Sequence, residues 1–286
     1  MLKIFEKEEK MRTGWRFSFA GIALLTMVSL VFAQQISPPK LKTQYYNSPS
    51  SFLVLPECIW APAIGGGTWM TEVQIIPISD INFVEAIFLY GDGNFRGPFV
   101  LIVNGVSGQL YRFNNILEVR QSVDPAFSYY GRVGAVLLTT TSIFDWIIAM
   151  ARTNNGPYGK TFNALADVDA NLCSFEPFRP MALCGLVSNA DFRTSIGGVN
   201  ISSEPLDVYF EIIDQAGELI GSFNETFVGL DFKAFNPFVR AGITSPYDSA
   251  YLIIVPTGGS GRVMFFGATA NNTTNDPAAL SPFQMR

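Results

Sequence analysis

Histidine is absent from this chain of 286 residues. That removes the usual general base at neutral pH, the Ser-His-Asp and Cys-His nucleophile systems, and the commonest zinc ligand. Charge is also sparse. Charged residues make up 15% of the chain, and 19 Lys and Arg stand against 24 Asp and Glu, a net charge of −5. Nucleic-acid backbones and anionic lipid surfaces are held by Lys and Arg gathered on one face; no such cluster follows the N-terminal segment. Phosphate and dinucleotide fingerprints are missing as well. Gly65-Gly66-Gly67 precedes a strand instead of a helix, and Gly259-Ser260-Gly261 lies in a glycine-rich turn instead of a nucleophile elbow. No cofactor is expected.

After residue 33 no long hydrophobic run occurs. The run before it reads as a targeting segment: Lys3, Lys7, Lys10, Arg12 and Arg16 form a basic region, Phe17 to Phe32 is apolar, and Val31-Phe32-Ala33 precedes Gln34-Gln35 as a small-residue cleavage site. About 16 apolar residues is short for the roughly 20 that span a bilayer core. Residues 1–33 are therefore expected to be a signal peptide, leaving no stable membrane span after cleavage. Its loss removes five basic and three acidic side chains, which leaves 14 against 21 and a net charge of −7. Residues 34–51, with Pro38-Pro39 and the Ser-Pro-Ser-Ser run, read as an extended leader.

What the chain has in quantity is aromatic residues, 14% with 25 Phe, and short apolar runs punctuated by Gly and Asn. Examples are Phe83 to Tyr90, Phe99 to Val103, Val133 to Leu138 and Ile143 to Ala151, spaced as strands of a sandwich or barrel. Leu206, Val208, Phe210 and Ile212 alternate with Asp207, Tyr209 and Glu211, the period of a strand with one buried face. Tyr251 to Val255 and Val263 to Phe266, separated by Pro256 to Gly261, suggest a hairpin. One short helical turn is expected near Asn114 to Val119.

These runs fall into two copies. Trp69-Met70-Thr71-Glu72-Val73 answers to Phe192-Arg193-Thr194-Ser195-Ile196, Phe113-Asn114-Asn115 to Phe235-Asn236-Pro237, and the segment ending Asn154-Asn155 to the one ending Asn271-Asn272. The offsets are 192 − 69 = 123, 235 − 113 = 122 and 271 − 154 = 117, a steady drift of the kind that shorter loops in the second copy produce. The expected fold is all-β, with two tandem immunoglobulin-like or β-sandwich domains: repeat 1 over 52–166, a linker over 167–180 and repeat 2 over 181–286.

The aromatic-Arg-Thr-Asx-aliphatic segment of the second copy, and its closing strand Val263-Met264-Phe265-Phe266-Gly267-Ala268-Thr269-Ala270-Asn271, resemble those of a group of secreted bacterial proteins built from two β-sandwich-like repeats. The first copy departs from the pattern at Met70, Glu72 and Pro77, where Arg, Asx and Asn are expected. The resemblance implies fold and export, and it carries no catalytic residues across.

Three cysteines, Cys58, Cys173 and Cys184, make an odd number for an exported chain. The favoured pair is Cys173 with Cys184, which would close a small loop (184 − 173 = 11); Cys58 with Cys184 would staple the two units, and three buried thiols is the remaining reading. Asp167, Asp169 and Asn171 have the first three ligand positions of a calcium loop, but Leu172 and Phe178 stand where an EF-hand needs Gly and Glu. The two readings left are a looser calcium site between the repeats and a solvated acidic linker, which explains the same residues. Arg193 is the charge singled out in the repeat motif, either for a ligand carboxylate or for fixing the start of its strand. The sequons at Asn200, Asn224 and Asn272 read as turn residues.

The function expected from this is a secreted or cell-surface protein, with the periplasm as a further address, that is structural, adhesive or binding and not an enzyme. The expected partner is an extracellular protein or a carbohydrate, and no nucleic acid. The alternatives are a filament subunit that self-assembles through the leader or sheet edges, and a hydrolase working with carboxylates alone.

Overall fold

The structure is a computed structural model that describes residues 50–63, 66–166 and 172–285. The targeting segment, all but the last two residues of the leader, and Asp167, Asp169 and Asn171 lie outside the described residues. The remainder is nearly all strand, arranged as two nine-stranded antiparallel sheets. Strands β1 (Phe52–Pro62), β2 (Thr68–Pro77), β3 (Ile81–Leu89), β4 (Phe95–Gly105), β5 (Tyr111–Phe113), β6 (Arg132–Thr140), β7 (Ile147–Asn155), β8 (Tyr158–Asn163) and β9 (Leu165–Ala166) form the first. The second comprises β10 (Met181–Ser188), β11 (Phe192–Asn200), β12 (Leu206–Asp214), β13 (Leu219–Phe227), β14 (Phe232–Phe235), β15 (Tyr247–Gly259), β16 (Val263–Asn271), β17 (Pro277–Leu280) and β18 (Phe283–Gln284).

The two sheets share one topology. The first runs β4-β3-β6-β1-β2-β7-β8, with β5 on β2 and β9 on β1; the second runs β13-β12-β15-β10-β11-β16-β17, with β14 on β11 and β18 on β10. Register makes the equivalence residue by residue. Leu53 faces Leu138 as Met181 faces Ile254 (181 − 53 = 128, 254 − 138 = 116), and Val73 faces Phe113 as Ile196 faces Phe235. Thr71 faces Thr153 as Thr194 faces Thr269, so the last pair of strands is offset by 269 − 153 = 116. The sequence match of Asn154 to Asn271 is therefore one residue out, and Asn155 is the partner of Asn271 (271 − 155 = 116).

Each copy also carries one short helix after its fifth strand. Helix α1 (Ile116–Val123) is capped by Asn115, whose side chain accepts from the N–H groups of Leu117 and Glu118. Helix α2 (Pro237–Arg240) is capped by Asn236, which accepts from Phe238 and Val239, with Pro237 in the first turn where its missing N–H costs nothing. Asn200 and Asn224, expected as turn residues, lie instead in strands β11 and β13; Asn200 is buried, its Nδ2 donating to the carbonyls of Glu204, Phe227 and Val228 and its Oδ1 accepting from Ser202.

The expected hairpin between Tyr251 and Phe266 is not formed. Strands β15 and β16 do not pair, because β10 and β11 lie between them in the sheet, as β1 and β2 lie between β6 and β7. Nor are the cysteines bonded: all three are free. Cys173 sits in the second core opposite Val263, whereas Cys184 is exposed on β10, so the favoured pair points to different surroundings. The counterpart of Cys58 is Leu186, not Cys184, since Cys58 faces Gly134 as Leu186 faces Ala250.

Three apolar clusters hold the fold. One lies wholly within the first repeat, around Leu53, Leu55, Ile75, Phe88 and Tyr129, and a second within the other, around Leu183, Phe210, Phe227 and Phe265. The third joins them. It brings Val54, Leu89, Ala135 and Leu137 of the first sheet against Val199, Phe232, Met264 and Phe266 of the second. Leu206, Val208, Phe210 and Ile212 all reach the second core, as their alternation requires. The β3–β4 turn docks on the second repeat as well, with Gly93 N–H donating to the buried Asp231 at 3.3 Å.

Candidate functional site

Where the third cluster ends, the two sheets part and leave a cleft of about 380 Å³. Its origin is a taper in side-chain size. Successive outward residues fall from Phe266 to Ala268 and Ala270 on β16, from Phe232 to Ala234 on β14, and from Val199 to Ser195 on β11. Alternate residues of a strand share a face, so each series runs from the packed seam into the cleft. Between Ser195 and Val199, Gly197 leaves room for the Phe266 ring; a Cβ there would lie 2.2 Å from it.

The opposite wall depends on a β-bulge. In β1 the register shifts between Leu55 and Cys58, where Pro56 stands. Before the bulge the even residue Val54 faces the second repeat. After it the odd residues Glu57 and Ile59 do so, while Cys58 turns into the first core. Val133 on β6, register partner of Ile59, and Trp69 on β2 complete this wall.

The polar side chains that line the cleft are those of Glu57, Thr153, Lys160, Arg193, Ser195 and Asn275. The Lys160 ammonium donates to Glu57 at 2.5 Å, and the Lys160 side chain is almost wholly buried. Arg193 donates to the carbonyl of Asn271 at 3.4 Å, to Asn272 Oδ1 at 3.1 Å and to Asn275 Oδ1 at 2.7 Å. It therefore braces the β16–β17 turn while also lining the cleft. Met70, its counterpart in the first copy, has no such fork of donors.

The cleft thus offers one indole, several Ala side chains, and hydroxyl, cationic and amide groups with a single carboxylate. Of the residues singled out from sequence, Arg193 reaches it. Cys173 and Cys184 do not line it. Glu57 and Lys160 carry no motif, Ser195 and Ala268 were legible only as parts of the opening and closing strands of the second copy, and Trp69 only as the aromatic opening the repeat.

No family model matches the chain. No curated protein matches it either. Among solved structures, the VP2 subviral particle of infectious bursal disease virus matches at 11% identity over 89% of this chain and 82% of that one, with a TM-score of 0.17. The Gt strain of the same virus matches at 10% identity over 89% and 81%, with a TM-score of 0.15. Likeness this slight bears on neither fold nor function.

Proposed function

We propose that the protein is a non-enzymatic binding module that acts outside the cytoplasm and takes a carbohydrate in the cleft between its two repeats. The observation that carries the reading is the composition of that cleft: the Trp69 indole and the Ala234, Ala268 and Ala270 side chains share it with Arg193, Asn275, Ser195 and the Glu57–Lys160 pair. A sugar ring has an apolar face that lies on an aromatic side chain and hydroxyls that need donors and acceptors at its edge, and a concave site of this size holds a small ligand. The single carboxylate of the cleft, Glu57, is held by Lys160, whereas glycoside hydrolysis needs two carboxyl groups facing one bond. That supports binding over cleavage. Self-assembly through the outer strand β4 is disfavoured by Pro98 in its middle, which removes a donor from the free edge.

The test is a glycan array with the purified protein, repeated with Trp69→Ala and Ala268→Phe. The reading expects one class of glycan to be retained by the parent and lost by both variants. An array without hits, or hits unaffected by either change, would remove it. N-terminal sequencing of the exported protein checks the address, with Gln34 expected as the first residue.

A further inference from the structure

The duplication supplies an internal control for one wall of the cleft. Register places Glu72 opposite Arg152 in the first repeat and Ser195 opposite Ala268 in the second, so Ser195 stands for Glu72 (195 − 72 = 123) and Ala268 for Arg152 (268 − 152 = 116). Ala234 stands for Arg112 in the same way, since Phe235 answers to Phe113 (234 − 112 = 122). In the first repeat these three positions hold ions: Arg112 donates to Glu72 at 2.8 Å, and the charge of Arg152 acts on the same carboxylate. In the second they hold Ser and Ala, and all three line the cleft. The same sheet face carries its own salt bridge in one copy and is pared to short side chains in the other. The fold accepts either.

Beside that cleared wall stands one long cation. Arg193 takes the place of Met70 (193 − 70 = 123), so the strand does not require a charge there. Its hydrogen bonds go to neutral oxygens, those of the Asn271 carbonyl and of the Asn272 and Asn275 side chains. They hold the guanidinium through Nη1 and Nη2, and none of them engages Nε. Among the described residues no carboxylate pairs with it: Glu57, the one acid lining the cleft, is bound by Lys160, and Asp276 accepts from Gly159 N–H at 3.4 Å. The cleft therefore holds two cations and one carboxylate, a balance of one positive charge. The chain as a whole carries −5, which rules against a diffuse attraction for anions.

We infer that the ligand of the cleft is an acidic sugar and that Arg193 binds its carboxylate. The inference rests on the carbohydrate reading above and adds the charge to it. A guanidinium held in place by neutral acceptors keeps its charge for the ligand, and its planar donors match a carboxylate. Ser195, Ala234 and Ala268 leave the room that the ion network fills in the first repeat.

The test sets each glycan beside its uncharged twin. An array of glycans bearing uronic or sialic acids, each printed next to its carboxyl methyl ester, and of neutral glycans is probed with the full-length protein, Arg193→Met, Arg193→Lys and Trp69→Ala. The expected result is a carboxylate-bearing glycan that the parent binds about tenfold or more tightly than the ester. Arg193→Met, with the residue that the first copy holds here, should bind acid and ester alike, at the level of the parent on the ester. Arg193→Lys keeps the charge without the fork and should keep part of the preference. Acid and ester falling together in Arg193→Met would overturn the inference, because that result makes Arg193 a brace for the turn alone. So would a preference that survives Arg193→Met. Neutral glycans or esters bound as tightly as the acids, and lost in Trp69→Ala, would overturn it while leaving the carbohydrate reading intact; an empty array would remove both.

Discussion

Thr71 and Thr194, 123 residues apart in sequence (194 − 71), make the same bonds in the two halves of the molecule. Thr71 Oγ1 accepts from Ile59 N–H at 2.9 Å and lies 2.9 Å from Thr153 Oγ1. Thr194 Oγ1 accepts from Val187 N–H at 2.8 Å, donates to the Val187 carbonyl at 2.9 Å, and lies 3.3 Å from Thr269 Oγ1. In each copy the hydroxyl stands in for a ladder bond where the first two strands of the repeat diverge. Both side chains are buried, so the backbone N–H they satisfy has no water to turn to.

Replacing either Thr by Val keeps the shape and strands that N–H. Each change is expected to cost about 1–3 kcal/mol in urea unfolding, and Ser at either site should restore most of the loss. A loss at one site with none at the other would deny that the two bonds are equivalent.

The helix caps form a milder pair. Asn115→Ala and Asn236→Ala should each cost about 1 kcal/mol, since each removes the acceptor for two N–H groups at a helix start. Thermal melts of both variants check this.

The thiols should report the fold chemically. Burial pushes the Cys173 thiol up to about 12 from an ordinary 9.0 and pushes Cys58 up as well, whereas Cys184 is exposed. A disulfide-exchange reagent at pH 8 should therefore react quickly with one thiol in the native protein and with three in urea. Since the folded state keeps protons that the unfolded chain releases, the stability due to these neutral thiols is whole below pH 9. It is lost as the pH rises from 9 towards 12. Stability that rises over that window would contradict the burial of Cys58 and Cys173.

Glu72 acts at the acid end. Burial raises its pKa, but hydrogen bonds from Gln74 at 2.7 Å and Arg112 at 2.8 Å, with the charges of Arg112 and Arg152, outweigh burial and hold it below the ordinary 4.5. Its contribution is present above pH 4.5 and is lost as the pH falls through the depressed value. Arg112 is itself 58% exposed, so its share of the ion pair is screened by solvent. Glu72→Gln should cost about 1 kcal/mol at pH 7 and progressively less as the pH falls below 4.5, as read from denaturation midpoints along that series.

Much of this was legible in the sequence because it is local. The two Thr, the Phe113 and Phe235 positions, the helical turn near Asn114 to Val119, and the alternation from Leu206 to Ile212 all follow from residue type and short spacing, whereas the second helix, Pro237–Arg240, was not expected. What the sequence hid depends on which strands become neighbours. The contiguous apolar runs of β15 and β16 read as a hairpin because nothing in them tells of the two strands between. Glu57 reaches the cleft only because a bulge reverses the facing of β1. The taper from Phe266 to Ala270 means nothing until the opposing sheet is known.

The claim on which the account rests is that two copies of one sheet are docked into a single body by the cluster around Val54, Leu137, Val199 and Phe266. The tryptophans make it measurable, for Trp60, Trp69 and Trp146 all lie in the first repeat and none lies in the second. Urea unfolding followed by tryptophan emission therefore reports the first repeat, while far-ultraviolet circular dichroism reports both. The account predicts coincident transitions in the parent protein, and a split in Phe266→Ala, whose lost packing is worth about 3–5 kcal/mol. Two separate transitions in the parent would contradict it.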